Sequence, residues 1–342
     1  MNNWKVPKPS LEELARNADS VLLAGCGGGS DIIQTVNVYN YLKILGVKNI
    51  CFATISCAWW GEFAKGKEVF DMGCEVMDLD WFRPAERISS ELIRILPETQ
   101  LTGGLGKGRL SYEMCFAKLY SEPVYAVSLR AGLPGVKRAF ERIIKENHCD
   151  LFITVDIGAD TFYSGSETQV CSPLVDIFSV IAASDLGIDG VYALNGYGGD
   201  CELHMADLHK NVGRVMKQGG YLGASGITQK DICDLERIRE LMGPNCVEDW
   251  PYHAAKGEMG VFYSKRFWSM ERVPAAAVTF YFDPDVICEF NPVSKAVRDT
   301  KTLEEAENSI WGKCNLIPET RMHCELILPT PPQVPDGHTK AE

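Results

Sequence analysis

The sequence lacks the long apolar run that a membrane-spanning helix requires. No window of its 342 residues approaches ~18 uninterrupted apolar residues. The N-terminal stretch MNNWKVPKPSLEELARNA also has no apolar segment after its lysines of the kind that a secretory signal has. These two absences predict a cytoplasmic protein that has no membrane partner.

Clusters of basic residues are missing as well. The formal net charge is −12, and Lys and Arg nowhere form a run. Proteins that bind nucleic acid need clustered cations against the phosphate backbone. We therefore predict a small-molecule substrate as the partner and no nucleic acid, and we leave open whether the chain forms a homo-oligomer.

Cysteine pairs of the CxxC type are the third absence. The thirteen cysteines are scattered singly from Cys26 to Cys324. A structural zinc site is therefore not expected, and reduced, mostly buried thiols are predicted in place of a disulfide framework.

What the sequence does contain is an alternation of strand-like and helical segments. A helix is predicted to start at Ser10, where Glu13 completes a capping box. The apolar run SVLLAGC is followed by the helical pattern DIIQTVNVYNYLKILG, and further strands are predicted at NICFATIS, PVYAVSL, DLFITVD, GVYALN and YLGASG. Strands separated by helices imply right-handed crossovers. We predict an α/β fold with a doubly wound, mostly parallel, Rossmann-like sheet and helices on both faces.

The same pattern indicates the domain organisation. Residues 1–330 are predicted to form a single α/β domain with an irregular insertion or lid at about 57–121. Residues 331–342 are rich in proline and polar residues and are predicted to be a flexible C-terminal tail.

Three strand-to-helix loops are acidic and rich in glycine. They are GCGGGSD from Gly25 to Asp31, VDIGADTFYSGSETQVCSP from Val155 to Pro173, and NGYGGDCEL from Asn195 to Leu203. Ligands of doubly wound sheets bind beyond the carboxyl ends of the strands. These loops are therefore predicted to converge on one cleft, bringing together the acids Asp31, Asp156, Asp160, Glu167, Asp200 and Glu202.

The first loop fits neither common phosphate-binding pattern. A dinucleotide fingerprint would need glycine at Ser30 and an acid after the next strand, and a Walker loop would need Gly-Lys-Ser/Thr. Two interpretations stay open. The loop is either a packing turn with Asp31 in the positive first turn of a helix, or a cradle whose amides hold an anion.

The binding hypothesis assigns a role to each candidate residue. The anionic part of a ligand or nucleotide would be held by Cys26, Gly27, Gly28, Gly29 and Ser30, and the loop with Lys107 and Arg109 would close over it. Mg²⁺ or Mn²⁺ would be held by Asp31, Asp156 and Asp160. The catalytic set is Asp160 with Glu167 or Glu202 as general base, because crowding by other carboxylates raises a carboxyl pKa. Nucleophilic attack by Cys26 or Cys171 at a helix start is a further alternative.

The three motifs, in this order and spacing, resemble those of the domain of unknown function 1152 family over roughly Ala15 to Trp311. This resemblance implies an α/β fold and the position of a site, but it implies no reaction. The chain has Ser30, Ala159 and Cys201 where the family pattern has glycine.

The leading functional hypothesis is a metal-assisted transferase or hydrolase that acts on a small phosphorylated or nucleotide-like metabolite. One alternative is a metal-independent lyase or hydrolase that grips an ammonium or polyhydroxy substrate. The other is a ligand-binding or regulatory protein that catalyses nothing. A nicotinamide-dependent oxidoreductase is disfavoured, because the sequence lacks the acid that binds the ribose.

Overall fold

The computed structural model describes residues 8–59, 74–168, 170–242, 249–262 and 270–321. The predicted tail at 331–342 and residues 60–73 of the predicted insertion lie outside these ranges. Among the described helices, none is both long enough and apolar enough to pass through a bilayer.

The strands are β1 Ser20–Gly25, β2 Asn49–Ile55, β3 Cys57–Trp59, β4 Cys74–Val76, β5 Phe82–Arg87, β6 Leu92–Leu101, β7 Val124–Val127, β8 Leu151–Ile157, β9 Asp189–Asn195, β10 Tyr221–Gly226, β11 Gly260–Phe262, β12 Met270–Arg272 and β13 Val278–Phe282. The helices are α1 Leu11–Asn17, α2 Asp31–Leu45, α3 Tyr112–Tyr120, α4 Gly132–Asn147, α5 Val175–Asp185, α6 Met205–Lys217, α7 Gln229–Met242, α8 Trp250–Ala255, α9 Pro284–Phe290, α10 Pro292–Val297 and α11 Leu303–Cys314.

Nine strands form the central sheet, in the order β10-β13-β9-β8-β1-β2-β7-β6-β5. The five central strands are parallel, and only β13 and β6 run against the others, so the predicted α/β fold with a mostly parallel sheet is confirmed. From β1 the chain continues to β2 on one side of the sheet, whereas β8 adds to the other side. The boundary between β1 and β8 is therefore a topological switch point, where ligands of such sheets bind.

Both faces of the sheet are covered. In β1, Leu22 and Ala24 point into one core and Val21 and Leu23 into the other, as the two-residue period of a strand requires. Helices α4 and α5 contribute to the first core, and α2 and α3 to the second. All four of these β1 side chains are fully buried, which explains why the strand is continuously apolar.

The first helix begins as the sequence predicts. The Ser10 side chain accepts a hydrogen bond from the Glu13 amide at 3.3 Å, and the Glu13 carboxylate accepts one from the Ser10 amide at 2.8 Å. Helix α2 then begins at Asp31 and ends at Gly46, whose φ of 97° is the left-handed conformation that glycine adopts readily.

The region 57–121 is more closely integrated with the sheet than an irregular insertion would be. Strands β5 and β6 extend the edge of the central sheet beyond β7, and α3 packs on β6. Of the strands described in this region, only β3 and β4 form a separate ribbon.

The cysteines correct one prediction. Cys57 and Cys74 form a disulfide bond, whereas the sequence favoured reduced thiols throughout. The two residues are 17 positions apart and become neighbours only when β3 pairs with β4, and their spacing alone does not reveal this. The other described cysteines are free and mostly buried, as predicted.

Candidate acidic site

The turn from β1 into α2 is supported by its own aspartate. The Gly27 amide donates to Asp31 Oδ2 at 2.6 Å, and the Ile157 amide at the end of β8 donates to Asp31 Oδ1 at 3.3 Å. The Gly29 amide donates to the Cys57 carbonyl at 2.6 Å. The Cys26 amide also donates to the Val155 carbonyl, at 2.7 Å, so three of the amides predicted to hold an anion are engaged within the protein.

Gly27 has no side chain because another acid occupies the adjacent space. A Cβ built on Gly27 would lie 2.4 Å from Asp176 Oδ1 and 3.0 Å from Asp31 Oδ2. The glycine thus allows the carboxylates of α2 and α5 to approach the same backbone segment.

Gly28 packs against the ribbon formed by β3 and β4. A Cβ at this position would lie 2.3 Å from the Cys57 carbonyl oxygen and 2.5 Å from the Cys57 Cβ. This contact supports the packing interpretation for Gly28.

We expect Gly28→Ala to lower the free energy of unfolding by about 1–3 kcal/mol, because a methyl group overpacks against backbone atoms that are not free to rotate away. Gly213→Ala is the matched control. Gly213 lies within α6, no described atom beyond its chain neighbours and the adjacent backbone of the helix lies within 4 Å of the place its methyl group would take, and alanine is favourable in a helix. Urea unfolding curves measure both changes. Equal stability of the two variants would contradict the close packing.

Three buried carboxylates meet at the switch point between β1 and β8. Asp31 begins α2, Asp156 lies near the end of β8, and Asp176 lies in the first turn of α5. One carboxylate oxygen from each lies within 4.8 Å of the other two. Their relative exposures are 6%, 2% and 9%, so water contributes little to their solvation.

The three carboxyls differ in how well they are hydrogen-bonded. Asp156 Oδ2 accepts from Thr161 Oγ1 at 2.9 Å and from the Tyr192 hydroxyl. Asp176 Oδ1, in contrast, is buried and accepts from no N–H or hydroxyl donor of the described residues, and the Asp176 carboxyl lies within hydrogen-bonding reach of the Asp31 carboxyl. A buried acceptor left unsatisfied costs about 1–3 kcal/mol, and more if it is charged. A cation or a proton donor beside this oxygen would remove that cost.

Burial raises the pKa of all three carboxyl groups, and repulsion between them adds to the shift for Asp31 and Asp176. Burial raises the pKa of Asp31, and the charge of Asp156 raises it further. Burial also raises the pKa of Asp176, with added repulsion from Asp160, Asp156 and Asp31. Burial raises the pKa of Asp156, although hydrogen bonds from Tyr192 and Thr161 oppose this. Three charges so close together require a cation or bound protons.

Asp160, which the sequence placed among the metal ligands, lies beside this triplet and outside it. Its Oδ2 accepts from Ser172 Oγ at 3.1 Å. Burial raises the pKa of Asp160, and the charges of Asp156 and Glu202 add to the shift. Asp176 takes the place that the prediction gave to Asp160 within the triplet.

Asp200 and Glu202 bind backbone amides of the second loop. Asp200 Oδ2 accepts from the amides of Ala159 and Asp160 at 2.8 and 3.1 Å. Glu202 Oε2 accepts from the Cys171 and Ser172 amides at 2.6 and 2.9 Å, and its Oε1 accepts from Ser172 Oγ. The third loop therefore fixes the shape of the second, as their predicted convergence requires. These contacts give Glu202 a clear structural role.

Glu167 does not have the raised pKa on which its predicted role as a general base depends. Its carboxylate accepts from the Ser164 amide and hydroxyl and from Asn211 Nδ2. Burial raises the pKa of Glu167, but these hydrogen bonds outweigh it and leave the pKa below its ordinary value. The prediction that crowding makes this residue a base is corrected, because it is paired with donors and not with other acids.

The surroundings of Cys26 favour the inert, buried thiol over the alternative of a nucleophile. Cys26 is fully buried, and its Sγ donates to the Asp176 carbonyl at 3.3 Å. Burial raises the pKa of Cys26, and the charges of Asp176 and Asp156 raise it further. The acids around the thiol outweigh the positive end of α2. Cys171 is also buried.

Lys107 and Arg109 are exposed, in the turn that follows β6. This turn packs on Trp81 through Gly103 and Gly104, and the Leu105 amide donates to the Glu75 carboxylate at 2.9 Å. The turn is thus next to the ribbon that covers the glycine loop.

Two buried acids near the site escaped the prediction from sequence. Asp176 could have been found, because it follows the Ser172-Pro173 helix start by a few residues and an acid is common there. Glu319 accepts from the Leu174 amide at 3.1 Å and from the Val175 amide at 2.6 Å. It lies about 145 residues further along the chain than these amides, and no local pattern marks it.

The triplet fits a hard divalent cation. Mg²⁺ prefers carboxylate oxygens at about 2.0–2.1 Å in octahedral geometry, which spaces ligand oxygens about 3 Å apart when adjacent and about 4.2 Å when opposite. The oxygens of Asp31, Asp156 and Asp176 lie within 4.8 Å of one another, a limit slightly wider than this spacing, and all three donors are carboxylates, so the match to Mg²⁺ is one of donor type. Zinc, which favours His and Cys ligands, is a poorer match.

An α/β protein with a doubly wound sheet and buried acids at its switch point is the class that this fold and site define. The chain belongs to the family described as protein of unknown function DUF1152, whose model matches residues 22–321. The resemblance drawn from the loop motifs is thereby confirmed. No curated protein and no solved structure matches the chain.

Proposed function

We propose that this protein is a divalent-cation-dependent enzyme that acts on a small phosphorylated or nucleotide-like metabolite in the cytoplasm. The observation that carries the proposal is the buried triplet Asp31, Asp156 and Asp176, in which Asp176 Oδ1 accepts from no N–H or hydroxyl donor of the described residues. Mg²⁺ or Mn²⁺ bound there would offset two of the three negative charges of the ionised triplet and act as a Lewis acid toward a phosphoryl oxygen.

The surrounding residues support this assignment. Tyr192 and Thr161 orient Asp156 by donating to its Oδ2. The Gly27 and Ile157 amides orient Asp31 from two sides. Each carboxylate keeps lone pairs that these donors do not use. The site is thus arranged in advance, as a cation site in a rigid scaffold requires.

A cation also accounts for the position of Asp31 in a loop that resembles an anion cradle. Three amides of that loop are engaged internally, so a phosphoryl group would be bound chiefly by the cation. Asp160 lies next to the triplet with a raised pKa and a hydrogen bond to Ser172. It is the acid best placed to exchange a proton with a bound metabolite.

A panel of sugar phosphates, nucleotides and other phosphate esters tests the proposal. We expect turnover of one class that is abolished by EDTA, restored by Mg²⁺ or Mn²⁺, and lost in Asp156→Asn. Turnover that persists in EDTA would favour metal-independent acid/base chemistry. Specific binding without turnover of any bound metabolite would instead favour a non-catalytic ligand-binding protein.

A further inference from the structure

The disulfide bond between Cys57 and Cys74 closes a short ribbon beside the acidic site. Cys57 is in register with Val76, and Cys74 with Trp59, so the two cysteines are diagonal neighbours across β3 and β4. The ribbon has three residue pairs and is separate from the nine-stranded sheet. Its described residues are packed against the rest of the protein, with Cys57 and Ala58 buried in the two cores, and the covalent bond further restrains the two strands relative to each other.

One end of this ribbon holds the glycine loop. The Cys57 carbonyl accepts the Gly29 amide at 2.6 Å, and a Cβ on Gly28 would lie 2.3 Å from the same oxygen. Asp31, which follows shortly after, is oriented by Gly27 of the same loop. Any displacement of Cys57 is therefore transmitted to the backbone that supports Asp31.

The other strand of the ribbon reaches the opposite side of the site. Strand β4 packs against the 3₁₀ turn Glu319–Arg321. The Glu319 carboxylate accepts from the Leu174 and Val175 amides, directly before Asp176. The cross-linked ribbon thus contacts the supports of two of the three clustered carboxylates.

We propose that the Cys57–Cys74 disulfide is a redox-sensitive cross-link that restrains the glycine loop beside the acidic site. In the oxidised protein the ribbon is fixed over the glycine loop. Reduction releases the ribbon, removes the restraint on Cys57, and loosens the loop Cys26–Ser30.

A dithiol reductant reduces the Cys57–Cys74 bond in two thiol–disulfide exchange steps. A thiolate of the reductant attacks Cys74 Sγ, the more accessible of the two sulfurs by residue exposure at 8% against 1%. The S–S bond breaks, and Cys57 leaves as a thiolate that takes up a proton. The second thiol of the reductant then attacks the mixed disulfide, which releases Cys74. The protein gains two electrons and two protons, and the reductant becomes a cyclic disulfide.

Hydrogen exchange read by mass spectrometry tests the proposal on the full chain without any metal. We expect diamide-treated protein to yield a Cys57–Cys74 cross-linked peptide, and dithiothreitol-treated protein to yield both cysteines alkylated. In the reduced protein, amide hydrogen exchange in peptides covering residues 26–31 should be faster by about tenfold or more, because the disulfide no longer restrains local opening of this loop.

Variants separate the cross-link from general effects of reduction. Cys57→Ser and Cys74→Ser should each exchange like the reduced wild type and should not respond to dithiothreitol. Cys233→Ser, which removes an exposed free cysteine, should respond like the wild type. Two results would overturn the proposal: no cross-linked peptide in the oxidised protein, or equal exchange of residues 26–31 in the two redox states.

The redox state should also affect the rates of cation binding, an expectation that rests on the proposed function. Mn²⁺ should associate and dissociate faster with the reduced protein than with the oxidised protein, as measured by stopped-flow quenching of tryptophan fluorescence. If exchange depends on redox state but no Mn²⁺ binds in either state, the proposed function fails and the redox-sensitive cross-link stands.

Discussion

Asp176→Asn is expected to weaken Mg²⁺ and Mn²⁺ binding by about 100-fold or more while making the metal-free protein more stable. The loss of affinity follows because the variant removes one of three carboxylate ligands, and even residues that only support metal ligands cost about 10–100-fold when changed. The gain in stability follows because asparagine removes a buried negative charge beside Asp31 and Asp156. Isothermal titration and thermal unfolding in EDTA measure the two effects.

The size of this gain in stability depends on pH. The pKa of Asp176 is raised in the folded protein, so its favourable protonated form is fully present below the unfolded pKa near 4, and its contribution is lost as pH rises through the folded pKa. Asparagine imitates the protonated acid. We therefore expect the variant to be more stable than the wild type at pH 8, by about 1–3 kcal/mol, and nearly equal to it at pH 4.

Asp207→Asn is the matched control for Asp176→Asn. Asp207 also lies in the first turn of a helix, but in α6 and outside the triplet. It should change neither cation affinity nor the pH dependence of stability by more than a small amount. A wild-type protein that binds no Mg²⁺ or Mn²⁺ at pH 8 would show that bound protons, and no metal, neutralise the cluster.

The parts of the fold that the sequence predicts are those set by local patterns. The capping box at Ser10, the apolar strand β1 and the glycine that ends α2 each depend on residues within a few positions of one another. The alternation of strands and helices then determines the parallel centre of the sheet, because short connections leave few other topologies. The convergence of Asp31, Asp156 and Asp160 follows from that topology.

The parts that escape the sequence depend on long-range pairing. Strand β13 inserts between β9 and β10 from a distant part of the chain, and β5 with β6 joins the opposite edge. Neither placement has a local signal, because the backbone groups of a strand can pair with whichever strand leaves its own groups unpaired. The Cys57–Cys74 bond is likewise not predictable from local patterns, because the two cysteines meet only when β3 pairs with β4.

The sequence predicts that acids of several loops converge, but it does not predict which three of them form the triplet. Strand ends place Asp31 and Asp156 correctly because position along a strand determines which edge a side chain reaches. Glu167 is separated from them because its carboxylate accepts hydrogen bonds from Ser164 and Asn211, which lie within reach of its side chain. Asp176 joins them because Gly27 leaves room for it, a three-dimensional fit that composition does not encode.

Glu319→Gln is expected to remove a large pH dependence from the stability of the metal-free protein. Burial raises the pKa of Glu319 to about 8, although the Val175 and Leu174 amides oppose the shift. Its contribution to stability is fully present below the ordinary pKa of 4.5 and is lost as pH rises through about 8. A difference of this size corresponds to about 5 kcal/mol, as an order of magnitude.

Glutamine keeps the contact and removes the titration. Its amide oxygen can still accept from the Leu174 and Val175 amides, which both donate to Glu319 Oε1. We expect the variant to match the wild type near pH 5 and to exceed it increasingly toward pH 9, as measured by urea unfolding in EDTA. Glu141→Gln, an exposed change on α4, is the control and should leave the wild-type profile in place. Parallel profiles for wild type and Glu319→Gln between pH 5 and 9 would show that Glu319 is ionised throughout, with its charge held by the start of α5 and not lost to burial.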